Sequence, residues 1–434
     1  MSIDRRGLAF APVLIVATPA VLFPEYLDRG IAGGVVVLAS SALMAVAVWW
    51  LRDFGKIQSL TLALGVLALV GWAHAPNAGQ QALLAGALVG EAGDLSLSAT
   101  QHLGGIAFGL FAMAAIANFG RTRVLLTTAA GLVALAGGAI LVAGFMGTPA
   151  FQLTTHAKFF RFAFADAIPR ISLALPGVAV DGVNPNALAA TALLVAPVAI
   201  VVATLPHSPT IMMAGLRVGG IISASSCIAI LALTQSTSAW LTAAVMLVAL
   251  ALTGWRARLL VGMVVIALII ASQVQIDRSQ MDPIPSLFRI LGSRSVASRF
   301  VIWEPAWDLL AASPWLGIGL NQFHAIGDPP AFQAHAHNIF LQTALDIGLV
   351  GLAVYVALIG QLMVKAGRIA MRRSHASSIA VAGACALGGA HLFGVFDAIA
   401  LGARVGLFQW LACGLILAAC RVEAQSGDVG GLTR

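Results

Sequence analysis

Apolar runs of about 20 residues, the length that crosses a bilayer as a helix, recur along this chain from end to end. They fall at 8–24, 31–51, 58–75, 104–119, 123–146, 187–205, 214–234, 238–254, 259–273, 338–363, 377–396 and 401–420. Short polar spacers separate most neighbours, so most are expected to pack as antiparallel hairpins. The run at 80–103 is broken by Glu91 and Asp94 and reads as a partly buried loop. Two longer polar interruptions stand out, at 147–186 and 274–337. The pattern predicts an all-α polytopic membrane protein with about twelve transmembrane helices. It forms one integral membrane domain over 1–434, with two large loops, the second containing short helices.

Composition supports this. Hydrophobic residues make up 60% of the 434 and charged residues 9%, with a mean hydropathy of +0.95. A soluble domain carries roughly a quarter charged residues, so this chain cannot cover itself with polar surface and its solvent must be lipid. No polar stretch is long enough to build a separate soluble domain. Arg5-Arg6 ahead of an apolar run resembles a secretory signal. A cleaved signal should precede a polar mature protein, and none follows, so the run is expected to stay as the first anchor. Cys227, Cys385, Cys413 and Cys420 all lie in apolar segments without a CxxC pair and read as small buried hydrophobes.

Charge orients the chain. With twelve spans both termini share one side, and that side receives fifteen of the 24 Lys and Arg residues against nine on the far side. Basic residues concentrate in cytoplasmic loops, so both termini are expected in the cytoplasm. Seven of the nine exceptions lie in the two long loops: Lys158, Arg161 and Arg170 in the first, Arg278, Arg289, Arg294 and Arg299 in the second. Long loops translocate largely regardless of charge, so the orientation stands. Two explanations of the basic loops remain open on charge alone. Each cation could pair with an anionic lipid headgroup, for about 1 kcal/mol. Alternatively, the arginines could offer their forked donors to a phosphate-bearing substrate.

The most informative stretch is His335-Ala336-His337-Asn338, followed by an apolar run. Asn338 is a favourable N-cap, so a membrane-entering helix is expected to start there. Asn338, Gln342 and Asp346 then recur every four residues on one face. Such a stripe is costly in lipid unless it faces the bundle interior or a water-filled cavity. His337 falls at the positive end of the helix dipole. A histidine there is either an interfacial polar group or a general base working near its ordinary pKa. His324, His335 and His337 with Asp328 match no closed zinc spacing, so no metal is expected. Gly317-x-Gly319 lacks the GxGxxG continuation and reads as a turn, not a nucleotide loop. Between Ser298 and Ala312, Phe300, Trp303, Trp307 and Leu310 recur near helical spacing, an aromatic face suited to the membrane interface.

These residues carry a resemblance. His337-Asn338, Leu341, Asp346, Gly348 and Gly351 resemble the C-terminal signature of the O-antigen ligase and polymerase superfamily. Arg299, Trp303, Ala306, Pro314, Gly317, Ile318 and Gly319 are similar to its loop motif, and Asn184-Pro185-Asn186 to its entry into a span. Ser236-Thr237-Ser238-Ala239-Trp240 is similar to a short outside turn. The likeness covers about 182–360 and reaches the N-terminal helices only through span count. Many relatives carry Glu in place of Asp346 and Arg in place of Thr237, so any role of that arginine must be absent or moved here.

The resemblance implies a metal-independent, cofactor-free glycosyltransferase of the lipid-using GT-C type in a Gram-negative inner membrane. It would move O-antigen polysaccharide from undecaprenyl diphosphate to a sugar hydroxyl of lipid A–core, on the periplasmic face. His337 would be the base. Arg161, Arg289, Arg170 and Arg299, assisted by Lys158, would hold the diphosphate, because arginines can offset the charge released as the glycosidic bond breaks. Asn338, Asp346, Gly317, Gly319 and Asn186 would support the site. Attack opposite the diphosphate would invert the anomeric centre. Membrane lipids are expected partners and nucleic acid is not. An O-antigen polymerase and a protein O-oligosaccharyltransferase are the alternatives inside the superfamily. The short C-terminal region speaks against the second. A polyprenyl-linked glycan transporter is the alternative outside it, though the two halves show no repeat.

Overall fold

The computed structural model describes residues 29–84, 92–147, 185–205, 210–234, 237–251, 294–323, 335–397, 399, 401–403 and 406–431. Among them the regular structure is helical throughout. The eleven α-helices are α1 (Arg29–Trp50), α2 (Lys56–Leu84), α3 (Ala92–Phe119), α4 (Arg123–Gly147), α5 (Pro185–Thr204) and α6 (Ile211–Thr234), then α7 (Thr237–Ala251), α8 (Arg294–Ala312), α9 (Ile339–Ala370), α10 (His375–Phe393) and α11 (Leu407–Gly431). Eight of these are long and apolar enough to cross a membrane, and the segments Gly34–Trp50 and Ser238–Ala251 are shorter apolar helices. Large apolar side chains such as Leu62, Leu132, Ile221 and Val248 stand exposed on the surface. That is the surface of a polytopic membrane protein, whose helices keep every backbone hydrogen bond inside the segment.

Ten of the twelve apolar runs coincide with helices, while 8–24 and 259–273 lie outside the described residues. The expected loop at 80–103 is corrected at both ends. Helix α2 continues to Leu84 and α3 already starts at Ala92. A carboxylate interrupts an apolar run without interrupting a helix, because the helical hydrogen bonds are closed within the backbone.

The chain divides into two compact units. One comprises Phe119–Val296, Met363–Phe393 and Leu415–Arg434. Within it α5 is the hub, packing against α4, α6, α7 and α10. Its sequence explains the position: α5 is apolar on every side, and a helix without a polar face is stable only when surrounded. Pro185, the middle residue of the Asn-Pro-Asn entry, is its first residue, where a missing N–H costs nothing. Asn186 therefore belongs to the first turn of α5 in this unit. Its far end is tied by Arg217 of α6, whose Nε donates to the Ala203 carbonyl (3.1 Å).

The other unit comprises Met1–Asn118, Ala297–Leu362 and Gly394–Gly414. It contains the turn and the helix entrance singled out in the sequence. The expected single span beginning at Asn338 is interrupted: α9 has non-helical geometry at Ile347 (φ −139°) and Gly348 (φ +75°). The Pro314–Asn321 turn fills the break. The Leu349 N–H donates to the Pro314 carbonyl (2.8 Å) and the Ile318 N–H to the Leu345 carbonyl (2.7 Å). Both glycines at this crossing are needed for contact as well as for conformation. A Cβ at Gly317 (φ +73°) would meet the Leu345 carbonyl, and one at Gly348 would meet the Trp315 carbonyl. Gly319 (φ +101°) completes the turn against Ala75 of α2. Ile302, Ala306 and Leu310 of α8, Ile318 of the turn and Phe323 just after it, and Leu341, Ala344 and Leu345 of α9 form the apolar core beneath.

Helix α8 departs from its sequence expectation in one respect. The four residues 300, 303, 307 and 310 do not share an environment. Phe300 and Trp307 are 61% and 57% exposed, whereas Leu310 is buried and Trp303 turns inward. The inward face is 302–303–306–310, selected by packing on α9 and not by aromatic content. Pro305 lies inside α8 without ending it.

Candidate active site

The site grows from the first turn of α9. Asn338 caps the helix as expected: its Oδ1 accepts from the Phe340 and Leu341 N–H groups (2.9 and 3.0 Å). Its Nδ2 donates to the Val395 carbonyl (3.2 Å), so the cap also holds the segment that follows α10. Two flanking bonds grip the same segment. The Ile339 N–H donates to the Gly394 carbonyl (2.7 Å), and Arg299 Nε donates to the Phe396 carbonyl. Three successive carbonyls, 394 to 396, are thus fixed by donors from α8 and α9. The next residue is Asp397, which is delivered to His337 with Nδ1 3.1 Å from its Oδ1.

Asp397 is buried, and its Oδ1 also lies 3.7 Å from His335 Nε2. The two imidazole rings meet edge to face at 4.3 Å. The hydrogen bonds define the tautomers. The His337 main-chain N–H donates to His335 Nδ1 (3.2 Å), so His335 carries its proton on Nε2, facing the carboxylate. An ionised Asp397 accepts from His337 Nδ1–H, so the lone pair of His337 is on Nε2. The set of residues weighed as metal ligands and set aside changes accordingly. His324 and Asp328 lie outside the described residues, and the donor atoms that converge belong to His335, His337 and Asp397, all within 4.8 Å. In these tautomers the nitrogens facing Asp397 are N–H donors, and a protonated nitrogen has no lone pair for a cation. The group fits a hydrogen-bonded histidine–carboxylate system better than a metal centre.

Burial pulls the His335 imidazole down to about 4 from 6.5. Asp397 acts against the shift, while His337 and Arg299 reinforce it. Between these two values the unfolded chain binds more protons than the native one, so stability rises with pH in that window. The neutral His335 therefore contributes fully above about pH 6.5, and its contribution is lost as pH falls toward 4. Amide protection factors at the start of α9, corrected for the intrinsic pH dependence of exchange, are expected to fall over this interval. A His335→Asn protein should lose that part of the pH dependence; an unchanged profile would refute the assignment.

The polar stripe below the cap is a closed ladder. Asp346 Oδ1 accepts from Gln342 Nε2 (2.8 Å) and from the Asn321 N–H (2.9 Å). Gln342 Oε1 accepts from the Ala336 N–H (2.9 Å). Both side chains are buried, so Asp346 faces the interior of this unit and joins the helix entrance to the glycine turn. Asn321, at φ +51°, adds a bond from its Nδ2 to Ser98 Oγ of α3 (2.5 Å).

Among the residues anticipated from sequence, the structure brings together Arg299, Gly317, Gly319, His337, Asn338 and Asp346. Asn186 belongs to the other unit. Lys158, Arg161, Arg170 and Arg289 lie outside the described residues. Sequence reasoning missed Asp397 as the partner of His337. Its one signal was a carboxylate at the end of an apolar stretch, where an unpaired charge is expensive.

Among the described residues, fold and site define an all-helical polytopic membrane protein with a polar cluster at one helix entrance. Residues 221–356 match the family described as O-antigen ligase, so this segment of the chain is similar to the members of that family. The matched segment includes Arg299, the glycine turn, His337, Asp346 and Gly351, and ends short of Asp397. No curated protein matches the chain.

Proposed function

We propose that the protein is an O-antigen ligase, transferring a polysaccharide from undecaprenyl diphosphate to a sugar hydroxyl of lipid A–core at the periplasmic face of a Gram-negative inner membrane. The observation that carries this is the His337–Asp397 pair, lying at the entrance of a spanning helix and joined to the family-matched segment. His337 Nε2 takes the proton of the acceptor hydroxyl as that oxygen bonds to the anomeric carbon. The carbon–oxygen bond to the diphosphate breaks, and its electron pair leaves with undecaprenyl diphosphate. Asp397 holds the imidazole in the tautomer this requires and stabilises the imidazolium that forms. Attack from the face opposite the leaving group inverts the anomeric centre.

The diphosphate would be held by Arg161, Arg289 and Arg170 with Lys158, whose guanidinium and ammonium groups offset its charge. Arg299 adds positive charge beside the pair, while its Nε is committed to the Phe396 carbonyl. Asn338, Asp346, Gly317 and Gly319 shape the entrance.

Purified protein reconstituted with lipid-linked O-antigen and lipid A–core should yield ligated lipopolysaccharide. Longer lipid-linked chains in place of ligated product would identify a polymerase. A strong chelator should leave the rate unchanged, since the charge is offset by arginine. Loss of activity restored by a divalent ion would overturn the metal-free mechanism.

A further inference from the structure

The backbone at His337 has φ +48°, a left-handed conformation uncommon in residues other than glycine. Such a geometry persists when the surroundings over-determine it. Here the constraint converges on the residue before, Ala336, which is fully buried and has no functional group of its own. Its N–H donates to Gln342 Oε1 (2.9 Å), and its carbonyl accepts from Trp303 Nε1 (2.9 Å).

Both holders are themselves anchored. Gln342 is buried in α9 and donates from Nε2 to Asp346 Oδ1, the same oxygen that receives the Asn321 N–H of the glycine turn. Trp303 lies on α8, four residues after Arg299. That spacing puts the two side chains one turn apart on the same helix. Arg299 holds the carbonyl of Phe396, directly before Asp397, and Trp303 holds the carbonyl of Ala336, directly before His337. One helix therefore grips the chain immediately upstream of both members of the histidine–carboxylate pair.

We propose that Gln342 and Trp303 are positioning residues for the transfer reaction, clamping the two peptide groups of Ala336 so that His337 is held at its working distance from Asp397. The clamp rests on the assignment of His337 as the base. Neither residue touches substrate; both act on the rate through the angle at which His337 is presented. A displacement of about 1 Å at a reacting group can cost on the order of 100-fold in rate, so a device of this kind has a measurable consequence.

The test uses the full-length protein with a lipid-linked donor and lipid A–core. Gln342→Leu keeps the side-chain volume and removes both bonds, and Trp303→Phe removes the N–H while keeping a ring in the core. Turnover should fall about 100-fold in the first and about 10-fold in the second, with KM for each substrate within about 3-fold of the parent. Gln342→Glu, which sets an acceptor against Asp346 Oδ1, should also lower turnover.

Parental turnover in folded Gln342→Leu and Trp303→Phe proteins, with His337→Ala inactive, would overturn the clamp and leave the base assignment standing. Full activity in His337→Ala would overturn both. Should Gln342→Leu fail to insert, Trp303→Phe decides the matter alone: its parental turnover overturns the clamp and its lowered turnover at constant KM supports it.

Discussion

Replacing His337 with Ala is expected to abolish ligated product on a gel while the protein remains folded in the membrane. A positioned general base contributes about 10²–10⁴ in rate, and that contribution is lost with the imidazole. Folding should survive, because the helix is capped by Asn338 and the adjoining core is built from Ala336, Leu341 and Leu345. The left-handed backbone at 337 is the one complication, since Ala at φ +48° carries a strain that Asn tolerates better. His337→Asn should therefore be as inactive as His337→Ala and at least as stable. Normal ligated product from either variant would refute the base assignment.

The second large effect falls on Asp397. Asp397→Asn keeps the shape but presents an amide whose N–H₂ can donate to His337 Nδ1. The ring proton would then move to Nε2, the atom that must accept from the substrate. Turnover is expected to fall by a factor of about 10³–10⁴, with the protein still in the membrane. Asp397→Ala should fall at least as far, and it also removes the charge that acts on Arg299 and His335. A rate near the parent's in Asp397→Asn at neutral pH would show that the contact holds the loop without tuning the imidazole.

The two substitutions distinguish chemistry from architecture, because the pair is supported by bonds that neither removes. The Gly394 carbonyl stays on the Ile339 N–H, the Val395 carbonyl on Asn338 and the Phe396 carbonyl on Arg299. Loss of His337 or Asp397 therefore leaves the segment after α10 attached to the start of α9. By contrast, substitution at Gly317 or Gly348 would force a side chain into a backbone carbonyl and damage the entrance as a whole.

Some of this was legible in the chain before folding was considered. The helical membrane class, ten of the apolar helices, the start of α9 and the cap at Asn338 all follow from local features. Twenty apolar residues must be helical in lipid, and an Asn beside a helical run can bond only to the N–H groups next to it. The glycines at 317 and 319 marked a turn, because glycine adopts backbone conformations that other residues rarely do. The inward direction of the 338–342–346 stripe also followed, because three polar side chains on one face of an apolar helix cannot face lipid.

Tertiary structure decided what lies across the chain. Asp397 is 60 residues from His337, and Phe396 is 97 residues from Arg299. No periodic pattern encodes either pairing, because each depends on how α8, α9 and the segment after α10 pack. The same holds for the break at 347–348, which is cut to receive the glycine turn, and for the face of α8 turned inward. Local hydrogen bonding and hydrophobicity are properties of a few neighbouring residues, and sequence alone determined them. The tautomer of His337 and the carboxylate that sets it come from contacts between distant segments, and only the folded chain brings those together.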